Sequence, residues 1–143
     1  MLTKNMVVGL VLFFATAALA QNELPRVVEN GFAAYQESGS QKAIESWFKG
    51  SPLENEAAAR VKMINVLSEI ETAYGKMSGY ETIRNVSVAP SYQRVYMLIK
   101  YQKGPLFAVF DCYKTEAGWI VTHLNFNAEA ELILPAEVLA GHS

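Results

Sequence analysis

Few residues in this chain have side chains suited to catalysis. Its 143 residues include one aspartate (Asp111), two histidines (His123 and His142) and one cysteine (Cys112). A histidine works as a general base when a carboxylate orients its ring, and Asp111 with His123 is the pair that could do so. Tyr96 completes a candidate row. No G-x-S-x-G sequence supplies a nucleophile, and no serine falls beside the pair in the pattern. No His/Cys/Glu cluster has metal-ligand spacing, and no glycine-rich loop could cradle a phosphate. We therefore expect no metal, no cofactor and no catalytic residue as such. Tyr96, Asp111 and His123 stand as ligand-binding candidates. A single cysteine excludes an internal disulfide framework and a Cys-rich zinc site. Cys112 lies in a strand pattern, where a thiol is buried and inert.

Two hairpins place these residues. From Tyr80 onward, apolar residues alternate with period two over about 80–89, 92–102, 106–114 and 119–127. Pro90, Lys103-Gly104-Pro105 and Glu116-Ala117-Gly118 punctuate the strands, and such short connections make neighbours antiparallel. A turn centred on Lys103-Gly104 pairs Gln102 with Pro105, and hence Tyr96 with Asp111. A three-residue turn ending at Gly118 pairs Thr115 with Trp119, and hence Asp111 with His123. A two- or four-residue turn would slip the last strand by one and turn His123 to the other face. In the preferred register one face is nearly all apolar (Val95, Met97, Ile99, Tyr101, Leu106, Ala108, Phe110, Cys112, Ile120, Thr122, Leu124, Phe126). The other carries the Tyr96–Asp111–His123 row amid Leu98, Phe107, Val109, Trp119 and Val121, an apolar patch of the kind that meets a partner or ligand.

Helices precede the strands. Pro25 to about Glu37 is helical, with Val28, Phe32 and Tyr35 on one face. Ser40 can cap a second helix through Lys49, with Ile44, Trp47 and Phe48 inside. Ser51-Pro52-Leu53-Glu54 reads as a capping box for a long helix to about Tyr74, ended by Gly75. Its stripe is Ala57, Val61, Ile64, Leu67, Ser68, Glu71 and Tyr74. Glu69 and Glu71, with Lys62 and Arg60, read as a solvated face. The aromatics Phe32, Tyr35, Trp47 and Tyr74 belong to a core or line a pocket mouth. The fold class is α+β: three N-terminal helices packed on a curved four-stranded antiparallel sheet. In the tail after Asn127, Leu132-Ile133-Leu134 is expected to tuck against the body.

Residues 1–20 read as a secretory signal, with Lys4, an apolar stretch from Met6 to Leu19 and the small-residue site Ala18-Leu19-Ala20. Residues 21–143 then form one domain with 11 basic and 14 acidic groups, a net charge of −3. Near-balanced charge gives no footprint for nucleic acid. The expected location is periplasmic or secreted, with no membrane attachment after cleavage. Asn85-Val86-Ser87 matches a glycosylation sequon, relevant only where the source glycosylates.

Element order, the Trp47-Phe48-Lys49-Gly50-Ser51-Pro52 junction, Gly104-Pro105-Leu106-Phe107, and Tyr113-Lys114 leading into Gly118-Trp119-Ile120-Val121 resemble the nuclear transport factor 2-like (cystatin-like α+β) superfamily. The resemblance spans most of residues 25–127. It implies a cone, with a pocket between a curved sheet and the helices. It covers isomerases, cyclases and dehydratases as well as non-catalytic binding and dimerisation modules, so fold alone does not assign function. The isomerases use an acidic base with an oxyanion hole of Tyr and a protonated Asp. This chain offers only Asp111, in a strand. The expected function is an exported non-catalytic domain that binds a small apolar ligand or an envelope protein and forms a homodimer through its sheet. The alternative is an isomerase-, cyclase- or dehydratase-type enzyme using the His123–Asp111 pair.

Overall fold

The computed structural model describes residues 23–141, so the signal-peptide reading and His142 lie outside the described residues. Pro25 starts α1 (Arg26–Ser38), and Gly39 separates it from α2 (Ser40–Phe48). Gly39 has φ 92°, the left-handed region in which glycine carries no Cβ penalty. The cap of α2 is therefore Gly39, and Ser40 is already helical.

Ser51 and Glu54 do close a turn, but not as a reciprocal box. Ser51 Oγ accepts from the Leu53 N–H at 3.2 Å, and the Glu54 carboxylate accepts from the Gly50 N–H at 3.1 Å. They hold one 3-10 turn, Pro52–Asn55, and the chain breaks at Glu56 before α3 (Ala57–Tyr74). The buried face of α3 is offset from the expected stripe. Leu67 is its buried centre, with Met63, Ile64, Ile70 and Tyr74 half-buried around it. Val61, expected on the buried stripe, is 56% exposed.

β1 (Met77–Ala89), β2 (Tyr92–Tyr101), β3 (Pro105–Thr115) and β4 (Gly118–Asn127) form one antiparallel sheet in sequence order. This is the expected α+β layering. The edge strand β1 has register shifts at three places against β2. Bulges bend a strand and raise its twist, and they make an edge a poor template for further pairing.

Between helices and sheet the space is filled. Trp47 is fully buried, and its indole N–H donates to the Val28 carbonyl at 3.0 Å. Phe32, Phe110 and Phe126 pack on it at centroid distances of 5.0, 5.2 and 6.0 Å. Gly31 leaves the room: a Cβ there would fall 1.9 Å from Trp47 Nε1. Phe32, Tyr35 and Trp47 are thus core residues. The pocket that a cone-like resemblance implies is occupied at its centre by this aromatic cluster.

Both hairpins differ from expectation. β2 and β3 pair Lys100 with Pro105, a register two residues away from Gln102 with Pro105 that leaves a longer connection. The Lys103 N–H donates to the Tyr74 carbonyl at 2.8 Å, so the loop docks on the end of α3. Among the described residues no non-glycine has positive φ, so Lys103 is not in a type I′ turn. Because the slip is two residues, the faces of β2 and β3 are unchanged. The β3–β4 turn pairs Thr115 with Gly118 around Glu116-Ala117. Thr115 Oγ1 donates to the Gly118 carbonyl at 2.8 Å and accepts from the Ala117 N–H. That slips β4 by one near the turn, but a register shift between Asp111 and Cys112 restores the expected pairing of Asp111 with His123. Near the turn, Val121 therefore enters the core and Trp119 packs beside it, whereas both were expected outside. Ile120 pairs with Tyr113 on the outer face.

Candidate functional site

The outer face of the sheet divides into two halves. Over one half the chain lays its own tail, a 3-10 turn (Ala130–Leu132) followed by the short helix α4 (Ala136–Leu139). Ile133 and Leu134 bury against Tyr96, with Ile83, Phe107, Val109 and Val138 half-buried around them. The apolar patch expected to lie bare is in this part covered from within. An exposed 3.9 Å ion pair, Arg84 to Glu137, also links α4 to β1.

On the other half lies the predicted row, with one change of membership. The two-residue slip sets Arg94, not Tyr96, opposite Asp111, while Tyr96 faces Val109. Arg94 Nε and Nη2 donate to Asp111 Oδ1 and Oδ2 at 2.7 and 2.9 Å, a bidentate fork. Asp111 is 4% exposed. Burial alone raises its pKa, but hydrogen bonds from Arg94 and Tyr92, with the charges of Arg94 and His123, outweigh that and hold the carboxyl below its ordinary range. The Tyr92 hydroxyl is pushed up, first by burial and then by Asp111. Arg94 is pushed up by its bonds to Asp111 and further by Tyr96. Tyr96, Asp111 and His123 do share a face, but Arg94 stands between the tyrosine and the carboxylate.

This arrangement bears on chemistry. A carboxylate that orients a base accepts from the imidazole N–H. Both Asp111 oxygens instead accept from Arg94, and His123 stands exposed on the neighbouring strand. Cys112, one residue on, points the opposite way into the core, where burial and then the Asp111 charge push its thiol up to about 12. Its burial is as expected, and a thiol raised in this way is a poor nucleophile at neutral pH. Asn85 of the sequon is half-buried in β1 and donates to the Glu23 carbonyl at 3.2 Å.

Two polar features escaped the sequence reading. Glu71 is not simply solvated: it accepts from the Tyr35 hydroxyl at 2.7 Å, and Tyr35 lies 3.0 Å from the buried Tyr101 hydroxyl. Tyr35 has one proton, which leaves Tyr101 to donate to it. Burial is the main cause that pushes both phenols up, Tyr101 to about 12. The chain ties α1, α3 and β2 together. The second feature is Gln93, the one amide in the inward series Gln93, Val95, Met97, Ile99, Tyr101 of β2. That break in an apolar alternation was the available signal. Gln93 lines a cavity of about 700 Å³ at the rim of the core, between the start of α1, the end of α2 and the β3–β4 turn.

Among the described residues no group of three or more His, Cys, Asp or Glu could hold a metal, and no helix is long and apolar enough to cross a membrane. No family model, curated protein or solved structure matches the chain.

Proposed function

We propose that this protein is an exported, non-catalytic binding domain of the nuclear transport factor 2-like kind, and that it pairs with a second copy through the uncovered half of its outer sheet face. The observation that carries this reading is the surface around Asp111. Its charge is satisfied by Arg94, while Val86, Val88 and Tyr113 beside it stay exposed, Tyr113 at 46%. An internally neutralised polar centre ringed by apolar and aromatic groups suits an interface. The pairing of Asp111 with Arg94 rather than with the exposed His123 favours this reading over a His–Asp catalytic one. Export rests on the leader pattern of residues 1–20.

Sedimentation velocity over a micromolar concentration series tests the pairing. The expected result is a reversible dimer that Tyr113→Glu converts to monomer with the fold intact by circular dichroism. A monomer at every concentration would overturn the proposal.

A further inference from the structure

The rim cavity is lined by two cationic side chains, Arg26 and Lys49, and by Asn30, Ser46, Gln93 and Trp119. Arg26 and Asn30 are one turn apart on α1, while Ser46 lies in the last turn of α2 and Lys49 caps its end, so both helices present polar groups to the same space. Neither cation forms an ion pair among the described residues. Glu23 also reaches the cavity, leaving a local excess of one positive charge in a chain whose formal net charge is −2.

Gln93 supplies the second observation. Its amide oxygen is shielded from solvent and accepts no hydrogen bond among the described residues. A buried acceptor without a donor is unfavourable by about 1–3 kcal/mol. The terminal amide torsion is soft. A donor placed in the cavity can therefore draw the oxygen round and relieve that cost. The lining thus asks for two things in one molecule: an anionic group for Arg26 and Lys49, and a hydrogen-bond donor for Gln93. At about 700 Å³ the cavity is in the range that holds small organic ligands.

We infer that this cavity is a binding site for a small hydroxylated carboxylate, such as a sugar acid, with its carboxylate on Arg26 and Lys49 and a hydroxyl on Gln93. The site is separate from the outer sheet face, so it stands or falls independently of the dimer.

The test is a titration with D-glucuronate followed by the indole N–H resonances, with D-glucose and acetate as comparison ligands. Trp119 borders the cavity, whereas the Trp47 N–H is bonded to Val28 in the core and serves as the internal reference. We expect saturable shifts of Trp119 with glucuronate and weaker binding of glucose and acetate. Arg26→Gln and Lys49→Gln, both at exposed positions, should each weaken glucuronate about tenfold. Gln93→Leu should weaken it about fivefold without lowering the melting temperature, because it removes an unsatisfied acceptor. Absence of saturable binding, equal affinity for glucose, or unchanged affinity in Arg26→Gln and Lys49→Gln would overturn the assignment.

Discussion

Replacing Arg94 by leucine removes the cation that forks onto Asp111, and the structure sets the size of the effect. Deleting one partner of a fully buried ion pair typically costs about 3–5 kcal/mol, because the other charge is left without compensation. Asp111 fits that description at 4% exposure, but the Arg94 side chain is 46% exposed, so water already screens part of the attraction. Tyr92 also remains as a donor to the carboxylate. We therefore expect Arg94→Leu to lose about 2 kcal/mol at neutral pH, measured by urea unfolding. The pH dependence is more diagnostic than the size. In the native protein the Asp111 carboxyl lies below its unfolded value. Its contribution is thus present above the unfolded pKa of about 3.9 and is lost as pH falls through the lower folded value. Without Arg94, burial acts with less opposition and the carboxyl rises. The gap between native and variant must therefore narrow as pH falls and Asp111 becomes protonated in both. Asp111→Asn should abolish most of the effect of a further Arg94→Leu change, giving a coupling of about 1–2 kcal/mol in a double-mutant cycle. A loss below about 0.5 kcal/mol, or one that is the same at neutral and acid pH, would refute the argument.

Other residues give equally direct tests. Gly31→Ala should destabilise by about 3 kcal/mol or prevent folding, seen as loss of the cooperative thermal transition, because its Cβ would overlap the Trp47 ring. Leu134→Ala should cost about 2 kcal/mol and raise the binding of a hydrophobic dye, since Leu134 and Ile133 shield Tyr96 and Phe107 on the outer face. Cys112 should resist a thiol reagent at neutral pH until urea unfolds the chain, consistent with its burial and raised pKa.

The helices were legible because their signals are local. Pro25, Gly39 and Gly75 stand at their ends, and Val28, Phe32 and Tyr35 repeat at helical spacing. The phase of α3 was less legible, because a capping motif cannot reveal that its turn stops at Glu56 before a new helix begins. Strand existence was legible from alternation, but register was not. At Lys103 the turn is decided by the carbonyl of Tyr74, far away in sequence, and in β4 a single shift beside Thr122 exchanges the faces of Ile120 and Val121. The candidate row was therefore half right. Asp111 does face His123, for a reason other than the turn geometry that suggested it, while Arg94 takes the place of Tyr96.

That exchange of one residue has a consequence for how two copies could meet. With Tyr96 opposite Asp111, the centre of the outer face would hold a carboxylate seeking a partner, and burying it between subunits would leave a charge uncompensated. With Arg94 opposite, the charge is neutralised within one subunit before any contact forms, which lowers the desolvation cost of covering it. The tail confines the available area to the half around Val86, Val88, Arg94, Tyr113 and Ile120. A two-fold pairing brings one patch against itself, so the exposed Tyr113 of one copy can approach the guanidinium face of Arg94 in the other. An interface limited to half a sheet face is small, and small interfaces associate weakly. The proposed dimer should therefore dissociate within the micromolar range. Its strength should fall on Arg94→Leu, because that change removes the neutralising charge and the cation together.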